Sequence, residues 1–71
     1  MQEYEAVIWL TGREPEVITG DINKVLRKVQ SVLGLRGHNI SQAYEEIVDH
    51  KMLPYVFRFQ DYTGWNIAVV R

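Results

Sequence analysis

Between positions 22 and 33 the apolar residues Ile22, Val25, Leu26, Val29, Val32 and Leu33 recur at steps of three and four, with polar or charged residues filling the gaps. Only an α-helix gathers that spacing into a single stripe. Asp21 suits the N-cap, where its carboxylate accepts from free backbone N–H groups and faces the positive helix end. Gly34 is expected to close the helix in the left-handed conformation, with Leu35 folding back onto Val29 in a Schellman arrangement. A second stripe follows at Ile40, Ala43, Tyr44, Ile47 and Val48, opened by a capping box of Asn39 and Gln42. Pro54 disfavours helix at Leu53, so this helix is expected to end near Lys51.

Two apolar stripes need a surface to bury against. Residues 4–11 are rich in β-branched and aromatic side chains and stop at Gly12. The turn Gly12-Arg13-Glu14-Pro15 leads into a short strand from Glu16 to Thr19. Residues 55–60 and 65–70 form a second hairpin around Asp61-Tyr62-Thr63-Gly64, read as a type I turn with Gly64 as the bulge residue. Pairing Asp61 with Trp65 sets Phe59 against Ile67 and Phe57 against Val69. The element order is then ββααββ. The fold is α+β, a four-stranded antiparallel sheet with both amphipathic helices packed on the face that bears Phe57, Phe59, Ile67 and Val69. The strand order does not follow from the sequence.

The chain has 71 residues and no cysteine, which sets the scale of everything else. It reads as one domain spanning residues 1–71, without disulfides or a cysteine zinc site. A domain of this size buries only about 60% of its unfolded surface, so it folds on core packing alone or with help from another chain. The start is acidic, and the apolar run Ala6–Leu10 is too short for a signal-peptide core or a membrane span. A cytoplasmic location is the default.

Nothing in the sequence assembles a reaction. Ser31 falls mid-helix and Ser41 in a first helical turn, and neither has the strand-to-helix elbow that exposes a nucleophile. Glu46, Asp49 and His50 share a helix face, but metal sites draw ligands from more than one element. Glu45, Glu46 and Asp49 are read instead as a solvated acidic face. No glycine-rich phosphate loop occurs. No enzyme activity, metal or cofactor is expected.

Binding surfaces are easier to find. The net charge of −1 excludes a strongly basic or strongly acidic protein, yet residues 21–40 hold Lys24, Arg27, Lys28 and Arg36 against Asp21 alone. That basic helix is an alternative nucleic-acid surface, although lysine and arginine also line the wet side of ordinary amphipathic helices. Arg36 and His38, in the loop between the helices, are a further alternative, a small-ligand or phosphate site between subunits. The first strand is apolar on both sides. If Ile8 and Leu10 join the face of Phe57 and Phe59, then Val7, Trp9, Val56, Ala68 and Val70 line the other, beside Arg58. An uncovered tryptophan and valines mark a contact surface; packing of Trp9 against Arg58 is the plainer reading. The leading expectation is a small non-enzymatic regulator or inhibitor that binds another protein through Val7, Trp9, Val56 and Arg58, with a homodimer as a further option. Compact proteins of this kind are common among phage and mobile-element products that bind a host protein, an association of class rather than of residues.

Overall fold

A computed structural model of the chain describes residues 2–50 and 52–70, with the backbone alone of His50. The elements run β1 (Tyr4–Trp9), β2 (Glu16–Gly20), α1 (Ile22–Gly34), α2 (Ser41–His50), β3 (Tyr55–Arg58) and β4 (Gly64–Val69). All four strands join one antiparallel sheet in the order β2-β1-β4-β3. The ββααββ α+β architecture is the one the periodicities imply. The first and last strands lie in the middle, and β2 and β3 form the edges.

The register sorts side chains into rows. On the inner face, Ile18, Ala6, Ile67 and Tyr55 form one row, and Glu16, Ile8, Trp65 and Phe57 the next. Val25, Leu26, Val29 and Leu33 of α1 are buried together with Ala6, Ile8, Ile18, Trp65 and Ile67, and Leu10, Ile40 and Ile47 complete the core. Helix α1 packs on β1 and β2, and α2 packs against α1 with Ile40 and Ile47 reaching the same core. Tyr44 ties the two helices together by donating its hydroxyl to Asn23 Oδ1 at 2.7 Å.

Several local details depart from expectation. Asp21 caps α1 as foreseen, accepting from Lys24 N at 2.9 Å. Gly34, however, stays within the helix. The left-handed residue is Gly37, at φ 81°. Gly37 N–H donates to Gly34 O at 3.0 Å and His38 N–H to Leu33 O at 3.1 Å, the two bonds of a Schellman motif set three residues later. Leu35 therefore does not return to Val29; it is 89% exposed. Asn39 Oδ1 accepts from Ser41 N and Oγ, an Asx turn that leaves Gln42 out of the cap. Helix α2 is described through His50, and Lys51, the expected end, lies outside the described residues. The Leu53–Pro54 peptide is cis, and β3 begins at the next residue.

The second hairpin pairs in a register shifted by four residues from the expected one, with its turn centred two residues earlier, at Asp61. Phe57 pairs with Trp65 and Tyr55 with Ile67, not Phe57 with Val69. Phe59 N–H donates to Thr63 O at 2.7 Å, and Tyr62 N–H to Phe59 O at 3.1 Å. The left-handed position falls on Tyr62, at φ 67°, not on Gly64. Gly64 is needed for a different reason. A Cβ there would sit 2.9 Å from Phe57 O and 3.1 Å from Trp9 Cε3. The shift is an even number of residues, so the inward set keeps its face. The change is in who fills the core. Trp65 is 1% exposed, while Phe57, expected inside, is 44% exposed.

Candidate functional site

With both helices on the inner side, the outer face of the sheet is left open. Its central row is Val17, Val7, Asn66 and Val56. Val56 is 64% and Val17 58% exposed, Val7 is half-buried, and Asn66 Oδ1 accepts from Val7 N–H at 3.1 Å. The neighbouring row runs Trp9, Gly64, Arg58. Because Gly64 has no side chain, the Trp9 ring lies over it and reaches toward β3, where the Arg58 guanidinium carbon sits 5.5 Å from the ring centroid. That distance is within cation–π range. The four residues singled out from sequence, Val7, Trp9, Val56 and Arg58, thus share one face, and the contact of Trp9 with Arg58 is present as well.

The other candidates are placed differently. Lys24, Arg27, Lys28 and Arg36 are all exposed, the first three on one side of α1 and Arg36 in the turn beyond it. Arg36 and His38 do not form a joint anion site. His38 stacks on Phe59 with ring centroids 3.9 Å apart, and its Nε2–H donates to Asp61 Oδ2 at 3.0 Å. A carboxylate in that place disfavours a phosphate. Of the three helix residues weighed as metal ligands, Asp49 is exposed, Glu46 is half-buried, and the His50 side chain lies outside the described residues.

Glu46 corrects the reading of a wholly solvated acidic face. It lines a groove of about 250 Å³ between α2 and β3, with Asn39, Gln42 and Ala43 above and Tyr55, Phe57, Phe59 and Trp65 below. The rings pack at an angle: Tyr55 and Trp65 lie 5.2 Å apart and tilted, and Phe57 meets Phe59 edge-on at 4.9 Å. Burial pushes the Tyr55 phenol up, and the Glu46 charge adds to it. The aromatics at 55, 57 and 59, two apart on one face, were the signal in the sequence. The missing fact was that α2 stands clear of them.

The His38–Asp61 pair ties the turn between the helices to the second hairpin. Asp61 also accepts from Thr63 N, and its backbone oxygen from the Thr11 hydroxyl at 2.9 Å. The hydrogen bond from His38, then that from the Thr63 N–H, holds the Asp61 carboxyl below its ordinary range. A carboxyl held down by folding contributes stability above its unfolded pKa and loses it as pH falls through the folded value. The link is therefore expected to be intact at neutral pH and to release in acid, below the ordinary carboxylate pKa of about 3.9. Following the Asp61 carboxyl carbon by NMR against pH measures this directly. A midpoint at or above the ordinary value means that the bond to His38 is not formed.

Comparison with family models, with curated proteins and with solved structures gives no match for this chain. No helix among the described residues is long and apolar enough to cross a membrane. The geometry of the two surfaces is what bears on function.

Proposed function

We propose that the protein is a small non-enzymatic binding module, a regulator or inhibitor that works by protein–protein contact, and that its docking surface is the open outer face of the sheet. One observation carries this reading. The central row presents Val17 and Val56 largely to solvent, beside a tryptophan braced by an arginine. Tryptophan and arginine are the residue types that dominate contact energies. A flat apolar face with a desolvating rim is what a partner covers. The Arg58 guanidinium has no carboxylate within 4.0 Å among the described residues. The occupant is accordingly a different protein that offers an apolar patch with an acidic residue opposite Arg58.

A photoreactive amino acid placed at Val56 tests the proposal, with one at Leu35, exposed on the helical side, as the control. In nuclease-treated cell extract, the Val56 probe is expected to label one protein. Excess unlabelled wild-type chain should compete that labelling away, and the Val17→Asp/Val56→Asp chain should not. Equal labelling from Leu35, labelling of the chain's own copies alone, or competition by the aspartate variant would each contradict the reading.

A further inference from the structure

The groove under α2 combines two features. Its floor is aromatic, and its carboxylate is half-buried yet has no cation within 4.0 Å among the described residues. Ring faces carry negative potential, so Tyr55 and Phe57 favour the same sign of charge that Glu46 does. The site is built for a positive group with an apolar stem, and no described residue supplies one.

The strand beside the groove is an open edge. Phe59 N–H donates to Thr63 O, so in the alternation of an antiparallel ladder Phe59, Phe57 and Tyr55 direct their backbone groups to β4. Val56 and Arg58 direct theirs away from the sheet, and no strand lies beyond β3. A strand added there would place alternate side chains on the inner side, against Phe57 and the mouth of the groove. At about 250 Å³, the groove is smaller than a pocket for a drug-sized ligand and suits one long side chain.

We propose that the groove and the β3 edge together receive an extended segment of a partner protein carrying arginine or lysine. The segment hydrogen-bonds to Val56 and Arg58, and its cationic side chain lies over Tyr55 and Phe57 with its charge at Glu46. This contact uses the edge backbone of β3 and its inner side, whereas the outer-face contact uses the side chains of Val17 and Val56, and neither rests on the other.

The test is an amide NMR titration of the full chain with the blocked peptide Thr-Val-Arg-Val-Thr and with versions carrying norleucine or glutamate in place of arginine. Shifts are expected at Val56, Arg58, Ala43 and Glu46. The arginine peptide is expected to bind about tenfold tighter than the norleucine peptide, as a partly desolvated cation–π and ion-pair contact implies, and the glutamate peptide weakest. Glu46→Gln should reduce the arginine peptide to the norleucine level with the melting temperature unchanged, whereas Val17→Asp should leave its binding intact. Equal affinity of the three peptides, no binding of the arginine peptide, full affinity in Glu46→Gln, or shifts centred on Val7 and Val17 would each overturn the proposal. Val17, on the far edge strand, and Glu46, in the groove, tell the two contacts apart: Val17→Asp should weaken the outer-face contact alone, and Glu46→Gln the groove contact alone.

Discussion

Trp65→Ala is expected to remove about 3–5 kcal/mol of stability, the range for truncating a large aromatic in a core. Trp65 is almost wholly buried and stands between Ile8 on β1 and Phe57 on β3, so its ring spans the centre of the sheet. A chain of 71 residues has a total stability of only about 4–11 kcal/mol at usual values per residue. The variant should therefore melt on the order of 20 °C lower or be unfolded at room temperature. Trp9→Ala gives the comparison. Trp9 is half-buried on the open face, so its loss should remove less than half as much. Urea unfolding followed by circular dichroism measures both. Similar losses for the two tryptophans would mean that the inner and outer faces are assigned the wrong way round.

Gly64→Ala is expected to be destabilising by about 1–3 kcal/mol, the usual range for overpacking. Glycine-to-alanine changes in regular structure otherwise gain roughly 0.5–1 kcal/mol by restricting the unfolded chain, so the sign is decided by contact. The added methyl meets a backbone oxygen at 2.9 Å, which cannot swing aside, and the Trp9 ring at 3.1 Å, which can. Trp9→Val in the same chain should relieve the second clash and recover only part of the loss. Gly34→Ala is the opposite case. Its Cβ would meet nothing closer than Gln30 Nε2 at 3.4 Å within a helix, and it should raise the melting temperature slightly. Thermal melts of the three variants check this, and a stabilised Gly64→Ala would refute the close approach of Trp9 and β3.

These two variants mark where the sequence was legible and where it was not. The α1 stripe, the Asp21 cap and the alternation of β1 are local patterns, and each appears where its spacing places it. The face shared by Val7, Trp9, Val56 and Arg58 was also legible, because strand parity survives any even shift in register. The hairpin register did not follow, because Asp61 and Gly64 fit a familiar turn while the left-handed position fell on Tyr62, a residue with no special liking for it. Gly64 looked like turn punctuation, but it is required by contact across strands that are distant in sequence. Gly34 misled in the same way, since Gly37 offered a second left-handed site one turn later. The groove was hidden for a tertiary reason: nothing in the α2 stripe says that it leans on α1 and leaves Phe57 uncovered. The His38–Asp61 pair joins two loops 23 residues apart and has no sequence signal of its own.

An open outer face that serves as a docking surface makes a demand that the fold alone does not. Substitutions there should weaken partner binding without weakening the protein, the reverse of Trp65→Ala. The deciding measurement is calorimetric titration of the protein labelled from Val56, once purified, into the wild-type chain and into Val17→Asp/Val56→Asp. A loss of about tenfold or more in affinity, as removal of central contact residues implies, with an unchanged melting temperature, is the expected result. Unchanged affinity in the aspartate variant would contradict the assignment of the outer face.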